Sequence, residues 1–281
     1  MNHAPIHCRL CDGMAKPRFE KRILGKYDVG YFVCTQCASL QTEAPYWLEE
    51  VYQDDHRALD TWAAIRTRRL QVLTYFIARA FNVQPSEQIL DWGAGDGLYV
   101  RMLRDMGFDA YHCDLYCKNV YANGFDGSPA STYAAVTAFE VLEHFANPKQ
   151  DLDELFSLNP QLLIATTGIY NGQGPEWNYL MPMTGAHVFF YSDKAIQHIA
   201  KEHHYQVEIV ADKYIIFYKH RPSKKWLCVL RLILKHADAR FVQVLFALQK
   251  HACRADHDHQ ALCDRVRRTY DANPDSARGT E

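Results

Sequence analysis

The sequence predicts an α/β fold: a doubly wound, mostly parallel sheet, with a small cysteine-bearing unit before it and a helical extension after it. Three observations carry this. A short apolar strand, Gln88-Ile89-Leu90, ends at Asp91 and enters a turn with Gly93, Gly95 and Gly97, after which helical spacing begins at Leu98. Strand-like and helix-like segments then alternate through residue 167, the pattern of a parallel sheet with helices on both faces. Ahead of them stand two Cys-x-x-Cys pairs, Cys8/Cys11 and Cys34/Cys37.

Composition narrows the function classes. The chain has 281 residues and a formal charge of -2, which argues against a dedicated nucleic-acid binder with its strongly basic face. No apolar run approaches the roughly 20 residues needed to span a bilayer. Met1-Asn2-His3-Ala4-Pro5 lacks the apolar core of a signal peptide. Nine cysteines without such a signal read as thiols or metal ligands, and the expectation is a cytoplasmic protein.

The elements follow in order. Two thiolate pairs at this spacing match one tetrahedral zinc, and a closed four-cysteine site is structural. Between them Arg18–Glu20 and Val29–Val33 alternate as short strands, so residues 1–45 read as a zinc ribbon. Trp47 to Tyr52 reads as a short acidic helix. Ala58 to Phe81 carries helical spacing, with Leu59, Trp62, Ile65, Leu70, Leu73, Phe76, Ile77 and Ala80 on its apolar face. Arg66, Arg68 and Arg69 fall on the opposite, solvated side.

Gly107–Cys113 is the second strand, and Asp114 at its tip lies roughly 20 positions beyond the glycine turn, placed to accept ribose hydroxyls or to cap the next turn. Phe125 or Asp126 is placed to face an adenine. Ala134–Phe139 and Leu162–Thr167 are further buried strands, with a helix from Asn147-Pro148 to Phe156 between them. The helix from Ser192 to His203 precedes a closing antiparallel pair, Val207–Val210 and Tyr214–Tyr218. The ligand of such a sheet lies at the carboxyl ends of its strands.

A dinucleotide fingerprint needs its third glycine at position 98, but Leu98 stands there and the glycine falls at Gly97. Asp91-x-Gly93-x-Gly95-x-Gly97 instead looks like the first motif of class I S-adenosylmethionine (SAM) methyltransferases, a Rossmann-like family. Together with Phe139-Glu140-Val141-Leu142-Glu143-His144 it resembles the bacterial saccharide and secondary-metabolite members. The four-cysteine unit is similar to that of sugar C-methyltransferases acting on nucleotide-linked deoxysugars. The resemblance runs from about Cys8 to Tyr218. It implies a cofactor site of Asp91, Gly93, Ala94, Gly95, Asp114, Leu115, Glu140 and Val141. It also implies that His187, in Gly185-Ala186-His187-Val188-Phe189-Phe190-Tyr191-Ser192, is the catalytic base. Ala186 stands where the resembled enzymes have a glutamate, which favours O- over C-methylation. His144 is the second candidate base, and Glu140 would meet the cofactor's edge or the acceptor. Trp177, Tyr179 and Met181 belong to the same lid segment.

The expected function is methyl transfer to a small polar, sugar-containing acceptor by residues 46–220. Residues 221–272 form a basic amphipathic helical extension, with Lys224, Lys225, Arg231, Lys235, Arg240, Lys250 and Arg254 among apolar positions. That extension admits three readings: a peripheral membrane helix, a cover for the domain, or a homodimer contact. Cys253, His257, His259 and Cys263 lack any familiar metal spacing. Residues 273–281 read as a disordered tail. The competing function is a zinc-ribbon adaptor for RNA or protein with a vestigial methyltransferase fold, suggested by Lys16, Arg18, Lys21, Arg22 and Lys26.

Overall fold

The computed structural model describes residues 3–53, 61–128, 130–236, 244, 246–248 and 253–272. The expectations for Ala58, Leu59, Arg240, Phe241, Leu245, Lys250 and residues 273–281 fall outside these.

Two sheets organise the chain. The first contains β1 (Ile6–His7), β2 (Met14–Ile23), β3 (Tyr27–Cys34), β4 (Leu40–Thr42) and β9 (Phe189–Phe190), in that order. The second contains β5 (Gln88–Trp92), β6 (Asp109–Cys113), β7 (Ala135–Phe139), β8 (Leu162–Thr166), β10 (Gln206–Val210) and β11 (Tyr214–Tyr218). Its order is β10-β11-β8-β7-β5-β6. Strands β6, β5, β7 and β8 are parallel, while β11 pairs antiparallel with β8 and with β10. The chain reverses its winding at β5, which β6 flanks on one side and β7 on the other. That is the switch point at whose carboxyl end such sheets bind ligands.

The double winding follows from strand alternation. Ile89 points into a core with α2 (Ala63–Ala80), α3 (Leu98–Asp105) and α6 (Lys224–Lys235). Leu90 points the other way, into a core with α4 (Pro148–Ser157) and α5 (Asp193–Glu202). Neither is exposed at all, and burial of such a side chain stabilises by about 1.5–3 kcal/mol. Pro148 opens α4, and the Ser192 hydroxyl caps α5 by accepting from the Ala195 N–H. A third cluster, holding Phe19, Ile23, Tyr31, Trp47, Val188 and Phe190, fills the N-terminal sheet.

Several expectations change. The hairpin strands β2 and β3 are longer than Arg18–Glu20 and Val29–Val33. In α2 the buried face begins only at Leu70, leaving Trp62 and Ile65 exposed, and Arg66 and Arg69 are half-buried with partners. In its first two turns the helix is at most half-buried, so periodicity there marks no core. After β6 the chain returns to make an isolated parallel bridge between His112 and Asp126. Phe125 does not face a ligand pocket: it is buried under Arg104, whose guanidinium carbon lies 3.7 Å from the ring centroid. The Asp126 carboxylate accepts from Asn119 instead, at 2.9 Å.

In the extension, α6 turns Leu227, Leu230, Ile233 and Leu234 into the sheet's core, while Trp226, Val229 and Leu232 of the same helix stay exposed. No helix among the described residues is long and apolar enough to cross a membrane. The last helix, α7 (Ala255–Ala272), is anchored by Asp258. Its carboxylate takes both Nε and Nη2 of Arg104, at 2.7 and 2.8 Å, and Nη1 of Arg101 at 2.9 Å. Burial alone would raise the Asp258 pKa, but the two arginines outweigh it and hold the carboxyl at about 2.

Removing this carboxylate strands a buried guanidinium, a change that costs roughly 3–5 kcal/mol in general. Asp109 remains 3.1 Å from Arg104, which places Asp258→Ala at the lower end, about 3 kcal/mol. Urea denaturation checks the loss; an unchanged midpoint excludes the anchor. Because the folded pKa is depressed, the stabilisation is complete above the ordinary carboxylate range near pH ~4 and is lost as pH falls toward about 2. The variant's stability should therefore vary less with acid across that window.

Candidate functional site

The glycine turn after β5 is built from left-handed backbone. Gly93, Gly95 and Gly97 have φ of 74°, 58° and 85°, conformations that favour glycine. A Cβ on Gly93 would lie 2.5 Å from Val141, and one on Gly97 2.5 Å from the Asn119 amide oxygen. Gly95 differs: nothing lies within 4 Å of where its Cβ would be. Its open side is the one a ligand can approach.

The turn is fixed from β6. The N–H groups of Gly93 and Ala94 donate to the Cys113 carbonyl at 2.8 and 3.1 Å. The Gly95 N–H donates to Asp114 Oδ2 at 2.8 Å, while Oδ1 accepts from Tyr116 and Cys117, both at 2.8 Å. Asp114 is thus a turn cap bridging two loops, and it stands beside the open face of Gly95. Leu115 next to it is exposed. The neighbouring Tyr116 ring stacks on Tyr52 of α1 (Leu48–Gln53) at 4.4 Å. Asp91 is buried, and Thr137 Oγ1 donates to it at 2.7 Å. Burial pushes its carboxyl up to about 7, against that hydrogen bond. Of the residues nominated for a cofactor, the structure gathers Asp91, Gly93, Ala94, Gly95, Asp114 and Val141 around one turn.

The second half of the site follows β7. Glu140 has φ of 55°, a left-handed corner held by its N–H donating to Thr166, and its carboxylate pairs with Lys213 at 3.4 Å. The corner swings the 3-10 turn Leu142–His144 back beneath the segment that carries His187. Glu143 is fully buried. The Tyr179 hydroxyl donates to its Oε1 at 2.6 Å, and Val188 N–H donates to its backbone carbonyl at 2.9 Å. His187 Nδ1 donates to the Tyr179 carbonyl at 2.7 Å, so in the neutral ring Nε2 carries the lone pair. That nitrogen lies 3.9 Å from Glu143 Oε1. The His144 ring meets His187 edge-on at 5.0 Å.

Burial first and the charge of Glu140 second push the Glu143 carboxyl up to about 8. Burial and then His187 hold His144 down at about 3, which makes it a poor base. Burial also lowers His187, with the Tyr179 carbonyl and Glu140 opposing. Glu143 brings a carboxyl to 3.9 Å from Nε2, beyond hydrogen-bond distance, so it stands near His187 without taking the place of the absent glutamate. Trp177 and Tyr179 pack with Tyr170 and Phe190 rather than forming an open platform. Sequence reasoning missed Lys213, Thr137 and Arg9, since none belongs to a motif.

Among the described residues, two side-chain groups have the donors to hold a metal ion. One is Glu143, His144 and His187. The other is Cys8, Cys11, Cys34 and Cys37, whose sulfurs lie within 4.8 Å of one another. Cys8–Cys37 and Cys11–Cys34 are 3.6 and 3.5 Å apart, and the N–H groups of Gln36 and Cys37 point at Cys34 Sγ. Such spacing suits four thiolates around a single tetrahedral ion. Of Cys253, His257, His259 and Cys263 only His259 and Cys263 touch, at 3.5 Å. Among the ribbon's basic residues, Arg22 pairs with Asp28, Lys26 with Glu50, and Lys21 donates to the Pro175 carbonyl. Both ion pairs are solvent-exposed.

Known proteins resemble the chain as follows. An O-methyltransferase family protein from Burkholderia thailandensis is 16% identical, with 63% of each chain covered and a TM-score of 0.47. The magnesium protoporphyrin IX methyltransferase of Synechocystis PCC 6803 with bound SAH is 16% identical, covering 60% of this chain and 90% of that one, TM-score 0.40. The 1,6-didemethyltoxoflavin-N1-methyltransferase of B. thailandensis is 14% identical, covering 72% and 97%, TM-score 0.44. Among curated proteins none matches. A family model described as a methyltransferase domain matches residues 62–209, more than half of the 281 residues and the stretch that holds both the glycine turn and the His187 cluster. The chain belongs to this methyltransferase-domain family.

Proposed function

We propose that the chain moves the methyl group of SAM to a hydroxyl of a small acceptor, a saccharide or nucleotide-linked sugar. The observation that carries this reading is the lone pair of His187 Nε2, 3.9 Å from Glu143 in the turn after β7, with the open face of Gly95 in the turn after the neighbouring strand β5. Val141 packs on Gly93, so the two halves of the site touch. SAM supplies a sulfonium-activated methyl; the protein's task is to hold the acceptor in line, exclude water and take a proton. The turn and Asp114 would hold the cofactor, and Asp91 would face its amino-acid end. As the methyl–oxygen bond forms and the methyl–sulfur bond breaks, the hydroxyl proton passes to His187 Nε2. The sugar assignment draws on the four-cysteine unit in front of the motif pair.

The reading extends to the thiolate cluster, which would hold a structural zinc. Metal analysis should give about one zinc per chain, and Cys34→Ser should lose it and unfold the N-terminal sheet. A native, metal-free protein with four reactive thiols refutes that part.

Calorimetry should show SAM and its demethylated product binding the purified protein, and Gly95→Arg, which fills the open side of the turn, should abolish both. Tight NAD binding without SAM binding sinks the cofactor assignment. With a turned-over acceptor in hand, His187→Ala should lower turnover roughly 10²–10⁴-fold while SAM affinity stays near normal. Full activity in that variant removes His187 from the chemistry.

A further inference from the structure

Glu143 sits in a setting that its protein neighbours leave incomplete. Its side chain is wholly buried and its Oε2 has no hydrogen-bond partner among the described residues. Its one ion-pair partner among them is His187, at 3.9 Å, and the nearby Lys213 pairs with Glu140 instead. A buried carboxylate without a compensating cation is costly, and such groups are normally paired or bound to metal.

What faces this carboxylate is a pair of imidazoles. His187 has its Nδ1–H committed to the Tyr179 carbonyl, which fixes the ring and presents the Nε2 lone pair. The ring of His144 leans on the Ala186 backbone and meets His187 edge-on. Glu143 is oriented by the Tyr179 hydroxyl at 2.6 Å. Backbone carbonyls behind imidazoles and a hydroxyl behind a carboxylate are the outer contacts that orient metal ligands. One donor atom from each of the three residues lies within 4.8 Å of the others. Adjacent ligands of a small divalent ion with bonds of about 2.1 Å are about 3 Å apart, so closing onto an ion asks each side chain to move about 1 Å.

From this geometry we infer that Glu143, His144 and His187 bind one divalent first-row cation, leaving its remaining positions for an oxygen of the acceptor. Two imidazoles and a carboxylate form a mixed nitrogen and oxygen set that suits Mn²⁺, Fe²⁺ or Co²⁺, whereas the four thiolates select zinc. The inference rests on the methyltransferase reading for what the cation does: it binds and acidifies the acceptor hydroxyl, whose proton then leaves to solvent water. In that state His187 Nε2 serves as ligand, and without the cation it serves as base.

The test uses the full chain with its zinc retained, freed of loosely bound cations by desalting. Mn²⁺ is titrated in and the free-ion electron paramagnetic resonance signal followed, with SAM binding measured separately. About one Mn²⁺ per chain should bind, and His187→Ala and Glu143→Gln should each weaken it at least 10-fold while circular dichroism stays native. His198→Ala, at an exposed helix position, should leave binding unchanged. Either absence of Mn²⁺ binding by the folded protein, or equal binding by both site variants, overturns the site. If Mn²⁺ does not bind but SAM does, the cation falls and the methyltransferase reading stands. If Mn²⁺ binds with the predicted variant losses and SAM does not, the site stands and its assigned role falls.

Discussion

The arrangement of the site depends on one buried guanidinium. Arg9 stands between two of the cysteines, and it donates to the carbonyls of Ala146 and Val188 at 2.9 and 2.7 Å and to that of Thr42 at 3.2 Å. Val188 follows His187 directly, and Ala146 closes the turn that carries Glu143 and His144. A single side chain from the cysteine knuckle therefore fixes both sides of the cluster. Burial lowers the Arg9 pKa to about 10, which still leaves it fully charged near neutrality. Three carbonyl acceptors compensate for the loss of water around that charge.

The same coupling recurs in the backbone. Strand β9 adds to the edge of β4, so the segment after His187 is a strand of the N-terminal sheet. The Trp47 indole donates to the Gly185 carbonyl, and the Ser192 hydroxyl to that of Cys37. Cys8, Cys34 and Cys37 pack in the core that also holds α4 and α5. A small unit with little core of its own gains stability by this sharing, and in return it turns a surface loop into a rigid shelf. A metal in the thiolate cluster would then act on the chemistry only through Arg9, β9 and these contacts.

At the other edge of the sheet the charge network serves a different purpose. Strand β6 has no full strand beyond it, and its outer side meets the Arg104–Asp258 pair and α7 instead. Arg265 of that helix donates to the Gly124 carbonyl at 3.1 Å. The helix thus meets at Gly124 the loop from 119 to 126, whose Val120 and Tyr121 N–H groups bond to Asp96 in the glycine turn. A helix set against an open edge in this way hinders pairing with another chain.

The sequence determined the features written in short-range chemistry. The glycine turn, the alternation of strands and helices up to β8, the paired cysteines and the antiparallel closing strands were all legible, because each depends on spacing within a few residues. Where the sequence misled, long-range contact decided. Trp62 and Ile65 keep helical spacing and still face solvent, because the core of the sheet meets that helix only from Leu70 onward. Phe125 is a residue of the right type in the right loop, but Arg104 covers it. The sequence also placed His187 in the site without its carboxylate. Glu143, 44 positions earlier, reaches it only because Glu140 takes a left-handed corner and β9 joins β4. No local pattern encodes that meeting, since it joins a turn that follows one sheet's β7 to a segment held by the other sheet's β4.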